Sequence, residues 1–178
     1  MNEKFREKYR IPSARLLHYN YSKNGVYFVT ICTKNFECYL GEVVNDKMIL
    51  SEIGKITDEY WREIPKHFPF VKLDAFVVMP NHLHGILIID KTVETQNLAS
   101  LQKNKFGPQS QNLASIVRGF KIGVKKYAVI HNISFGWQPR FYDHIIRNNK
   151  SLNGIREYIQ NNPLKWELDK NNIHNLYI

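Results

Sequence analysis

Cysteine is scarce in this chain, long apolar runs are missing, and acidic residues are too few to balance the basic ones. Cys32 and Cys38 are the only cysteines among 178 residues, which excludes a disulfide framework and a four-cysteine zinc site. Apolar stretches such as residues 75–79 and 86–89 fall far short of the roughly 20 residues needed to cross a bilayer. No amino-terminal segment has the apolar centre of a signal peptide. The expectation is a soluble protein of the reducing cytoplasm with no membrane partner. Hydrophobic residues at 43% and aromatic residues at 13% exclude general disorder and supply one substantial core.

The acidic shortfall points to a polyanion. There are 25 Lys and Arg against 16 Asp and Glu, a formal charge of +9, and such an excess favours nucleic acid or an anionic surface as partner. Its distribution is uneven. Residues 1–15 carry Lys4, Arg6, Lys8, Arg10 and Arg15 against Glu3 and Glu7. Residues 118–150 carry Arg118, Lys121, Lys125, Lys126, Arg140, Arg147 and Lys150 against Asp143 alone. Clustered cations of this kind suit a run of phosphates.

The pattern along the chain predicts a basic arm over residues 1–20, one domain over 21–170 and a tail over 171–178. Residues 26–32 follow the turn Asn24-Gly25 and are β-branched and aromatic, hence a strand. A hairpin turning at Asn45-Asp46 is expected within 37–50. Ile53, Ile56, Tyr60, Trp61 and Ile64 recur at helical spacing after the capping residue Ser51, with Pro65 as the stop. Two antiparallel strands, Val71–Met79 and His82–Ile89, follow across the tight turn Pro80-Asn81. Residues 91–112 are polar and aperiodic, a mobile loop. Leu113, Ile116, Val117, Phe120, Val124, Tyr127 and Ala128 mark a second helix, with Arg118, Lys121 and Lys125 on another face. A strand over 141–146, a turn at 148–150 and a helix capped by Ser151 complete the chain up to Pro163. This order is that of an α+β, ferredoxin-like antiparallel sheet (split βαβ) with helices on one face and an added C-terminal helix.

Met79-Pro80-Asn81-His82-Leu83-His84-Gly85 is the most informative stretch. Alternate strand residues share a face, so His82 and His84 present two imidazoles side by side, either as metal ligands or as two polar residues at a strand end. Tyr158 is the candidate nucleophile. A phenol with a pKa of about 10 needs a cation or a base before it attacks, and the spacing from Ile155 and Ile159 equally suits a core tyrosine. Asn162, four residues on, shares its helix face, and Gln160 is the other amide nearby. Asn162 is the candidate third ligand, with a cap or turn before Pro163 as the alternative. His144 beside Asp143 is a secondary candidate, as a base or a structural pair, His67 reads as a loop or helix-end residue, and Trp137 and Phe141 either stack bases or fill the core.

Together, Met79 to Gly85, the segment Phe141-Tyr142-Asp143-His144-Ile145-Ile146-Arg147 after Trp137-Gln138, and Arg156-Glu157-Tyr158-Ile159-Gln160-Asn161-Asn162-Pro163 resemble the single-tyrosine HUH transposases, specifically the REP-associated tyrosine transposases. The resemblance runs from about residue 20 to 169. It implies a nuclease in which His82 and His84 bind Mg²⁺ or Mn²⁺ and Tyr158 attacks single-stranded DNA, leaving a 5′-phosphotyrosine and a free 3′-hydroxyl. It also implies recognition of a DNA hairpin, REP-like or at element ends, for which Arg10, Arg15, Arg118, Lys121, Lys125, Arg140 and Arg147 are the candidate contacts; the sequence leaves open monomer or homodimer, and whether the terminal helix completes its own site or a partner's. Related insertion-sequence enzymes use a glutamine four residues after the tyrosine, where this chain has Asn162. Imidazole ligands suit a transition metal better than Mg²⁺, so Mn²⁺ is expected to support activity best. The alternative reading is a hairpin-binding protein for DNA or RNA that does not turn over. Hydrolysis by metal-activated water, with Tyr158 structural, is a third.

Overall fold

A computed structural model describes residues 4–5, 8–9, 19–91, 111–169 and 171–172. Arg10, Arg15 and positions 92–110 of the expected loop lie outside them, as do 173–178 of the expected tail.

A four-stranded antiparallel sheet carries the site. Its strands are β1 (Gly25–Cys32), β4 (Val71–Met79), β5 (His82–Ile89) and β6 (Tyr142–Ile146), in the spatial order β4-β5-β1-β6. This is the ferredoxin-like order the sequence predicts. Between β1 and β4 the chain forms the hairpin β2 (Gly41–Val44) and β3 (Lys47–Leu50). Asn45 and Asp46 turn it with φ of 48° and 60°, a left-handed conformation these residues tolerate better than most.

Helix α1 (Glu52–Arg62) begins at Ser51, whose hydroxyl accepts from Gly54 N at 3.0 Å. Pro65 does not end helical structure, contrary to expectation. It sits in the first turn of a short second helix, α2 (Ile64–His67), where its missing N–H leaves no intrahelical bond unmade. Helix α3 (Leu113–Ile130) is capped reciprocally by Asn112 and Ser115. Helix α4 (Asn149–Gln160) starts earlier than Ser151 predicts. Asn148 is the cap, its Oδ1 accepting from Ser151 N at 2.8 Å, because an Asx side chain competes well for that position.

Strand alternation divides the core in two. Tyr27, Val29, Ile31, Leu83 and Leu87 face α1 and α3, meeting Trp61, Ile116, Phe120 and Val124. On the opposite face Phe28, Ile86 and Ile146 meet Ile159 of α4, with Leu152 and Ile155 packed around them. His82 and His84 share this second face. The helix that carries Tyr158 is therefore laid against the imidazole side of the sheet.

Candidate active site

The register of β5 on β1 sets His82 opposite Cys32 and His84 opposite Thr30. Both imidazoles are buried, and buried polar rings require partners. His82 Nδ1 lies 2.8 Å from Asn81 Oδ1, and His84 Nδ1 lies 2.8 Å from Thr30 Oγ1. With both Nδ1 atoms so engaged, the Nε2 atoms converge to 3.0 Å. Phe28 stacks on His84 with ring centroids 5.3 Å apart, which restricts the ring from the other side.

Tyr158 Oη stands 3.1 Å from His84 Nε2. The residue is 40% exposed while Ile159 is 1% exposed, so Ile159 takes the core position and Tyr158 opens to the surface. Its ring packs edge-on against Phe28 at 6.2 Å. Burial of the hydroxyl end raises the phenol pKa, the negative charge of Asp169 raises it further, and a hydrogen bond with Asn162 opposes both. A two-pronged ion pair anchors the helix. Arg156 Nε and one terminal nitrogen donate to the two carboxylate oxygens of Asp74 on β4, at 2.8 and 2.6 Å.

Asn162 follows α4 and is buried at the same place. Its Nδ2 is 3.4 Å from Asp169 Oδ2, and its buried Oδ1 has no hydrogen-bond partner. Gln160 is exposed and does not line the cleft. Asp169 is a residue that sequence reasoning missed. A 3₁₀ turn, Pro163–Leu168, folds the chain back so that one carboxylate oxygen of Asp169 and one nitrogen each of His82 and His84 lie within 4.8 Å of one another. No motif or periodicity marked it.

This donor set fits a divalent cation. Octahedral bonds of about 2.1 Å at right angles place adjacent donors about 3.0 Å apart, the separation observed between the two Nε2 atoms. Two imidazoles and a carboxylate are a donor set that a divalent cation accepts. Asn162 Oδ1, buried and without a hydrogen-bond partner, is a further oxygen on a residue of the same cleft.

A cleft of about 700 Å³ opens in front of Tyr158 and His84, with Phe28, Arg140, Phe141, Tyr142 and Lys165 among its lining residues. Arg140 is thus at the site, and Lys165 joins it without having been singled out from sequence. Arg118, Lys121 and Lys125 ride on α3, across the sheet from Tyr158. Lys121 Nζ donates to the carbonyls of Gln138 and Arg140, and Lys125 Nζ to that of Phe135, so both tie down the loop leading to Phe141. Burial lowers the Lys121 pKa. Arg147 and His144 line a separate cavity of about 470 Å³ with Tyr21 and Asn148. Trp137, half-buried, packs on Phe135 and Phe120 at 4.8 and 5.8 Å, against the core. His67 is exposed at the end of α2.

Among known proteins, no family model matches the chain. It is 47% identical over 163 residues to an uncharacterized protein of Haemophilus influenzae, covering 89% of this chain and 91% of that one, and the two belong to one family. A REP-associated tyrosine transposase of Escherichia coli is 27% identical over 145 residues, covering 82% of this chain and 70% of the relative. The solved structure of a REP-associated tyrosine transposase bound to a REP hairpin superimposes with a TM-score of 0.60 over 88% of this chain and 76% of that one, at 22% identity. The fold is shared.

Proposed function

We infer from the kinship of this chain with the REP-associated tyrosine transposases that it is a DNA-processing enzyme, one that cleaves and rejoins hairpin-bearing single-stranded DNA. The observation that carries this reading is the 3.1 Å approach of Tyr158 Oη to His84 Nε2, beside the second imidazole of His82. Within one chain the phenol already reaches His84.

Tyr158 Oη attacks the scissile phosphorus and loses its proton as the new O–P bond forms. The P–O3′ bond breaks, O3′ takes up a proton and departs as the 3′-hydroxyl, and the 5′-phosphate stays on the tyrosine. Attack of a second 3′-hydroxyl on this phosphotyrosine reverses the step and rejoins the strand. Held protonated by burial and by Asp169, the phenol needs positive charge beside it to react at neutral pH. His82 and His84, with an oxygen of Asp169 or Asn162, would hold a Mg²⁺ or Mn²⁺ ion, which supplies charge neutralisation at the phosphate when bound. Arg140 and Lys165 pair with flanking phosphates, while Phe141 and Tyr142 offer faces on which unstacked bases lie. The domain assigned to residues 21–170 contains all of these groups, and Arg10, Arg15 and Arg147 are assigned as hairpin contacts.

The test is adduct formation. Incubated with Mn²⁺ and a single strand bearing a hairpin, the wild-type chain is expected to become covalently linked to DNA and Tyr158→Phe is not. Equal adduct from both would remove Tyr158 from the mechanism, and strand cutting by both without adduct would replace it with water.

A further inference from the structure

We infer that Asn81 is a positioning residue that fixes the proton of His82 on Nδ1 and couples that choice to the docking of Asp169 and Asn171. The inference rests on the ligand role proposed for His82.

Asn81 is fully buried in the turn between β4 and β5. Its Nδ2 donates to Phe36 O at 3.0 Å and to Asn171 O at 2.6 Å. Carbonyls only accept, so both amide protons are committed and the carboxamide cannot be flipped without setting its oxygen against two others. Oδ1 therefore faces His82 Nδ1 as an acceptor, and that nitrogen must carry the proton. Nε2 is left as the basic nitrogen, aimed at His84. Thr30 imposes no such choice on His84, because a hydroxyl either donates or accepts.

The surroundings of Asn81 are built to hold it. Its own carbonyl accepts from Thr33 N at 2.8 Å and from Thr33 Oγ1 at 2.9 Å. Phe36 presents its carbonyl from a backbone with φ of 58°, a strained conformation for a bulky residue. Asn171, 90 residues away, presents the other carbonyl, and its N–H donates to Asp169 Oδ1 at 2.7 Å. One turn thus delivers the Asp169 carboxylate and the carbonyl that orients Asn81. Docking of that turn completes the ligand set and fixes the His82 tautomer together.

Long-range ¹⁵N NMR on the full-length, metal-free protein with labelled histidine reads the tautomer directly. His82 is expected as the Nδ1–H form at neutral pH, and an Nε2–H form in the folded wild type would overturn the inference. Asn81→Ala, verified as folded by its amide spectrum, is expected to mix the tautomers and to weaken Mn²⁺ binding about 10- to 100-fold by electron paramagnetic resonance. Thr30→Val is expected to leave the His82 tautomer unchanged. An Asn81→Ala protein with wild-type tautomer and affinity would also overturn it. Since the tautomer is read without metal or DNA, absence of adduct from the wild type would sink the proposed activity and not this inference.

Discussion

Tyr158 and His84 are 74 residues apart in sequence and 3.1 Å apart in space, phenolic oxygen to Nε2. The contact exists because α4 packs on the imidazole face of the sheet rather than beside α1 and α3. It makes one imidazole common to the proposed donor pair and to the proposed nucleophile, and the consequences of changing it differ from those of changing His82.

Chelation should abolish the covalent adduct, and Mn²⁺ added back should restore it. His82→Ala removes a donor, whereas His84→Ala removes a donor and the partner of Tyr158. Adduct formation, followed by gel shift across a Mn²⁺ titration, should therefore be recovered less by excess metal in His84→Ala than in His82→Ala.

Asp169→Asn should lower the pKa of Tyr158 in the metal-free protein. The carboxylate disfavours the phenolate, so removing its charge eases ionisation, while burial, the larger cause, still holds the value above the ordinary 10.0. Ultraviolet difference titration measures the shift, and an upward movement would contradict the geometry. The same variant should weaken Mn²⁺ binding.

Asp74→Asn should remove a pH-dependent part of the stability. The guanidinium of Arg156 holds the Asp74 carboxyl below its ordinary 3.8. A carboxyl depressed by folding contributes stability that is complete above its unfolded value and is lost as pH falls through its folded value. Urea midpoints of wild type and Asp74→Asn should differ at neutral pH and converge in acid below 3.8. A difference that persists there would assign the effect to packing.

Gly85→Ala should destabilise the fold and disturb the site at once. A Cβ at this position would lie 2.3 Å from the Trp61 ring, and overpacking a buried contact of this kind costs about 1–3 kcal/mol. Gly85 directly follows His84, so relief of the clash moves the ligand strand. Urea denaturation and Mn²⁺ affinity should fall together.

Sequence by itself determined what backbone periodicity determines. The two-residue repeat of a strand put His82 and His84 on one face. The 3.6-residue repeat marked α1 and α3, and the short Pro80-Asn81 turn required β4 and β5 to pair antiparallel. Tyr158 was legible as a candidate beside Ile159, but spacing could not say which of the two is buried. That depends on which side of the sheet the helix lands, and only tertiary packing decided it. Asp169, the carboxamide of Asn81 and the loop-binding role of Lys121 were likewise invisible. Each is fixed by contact with a distant segment brought back by a turn, and such contacts leave no local repeat in the chain.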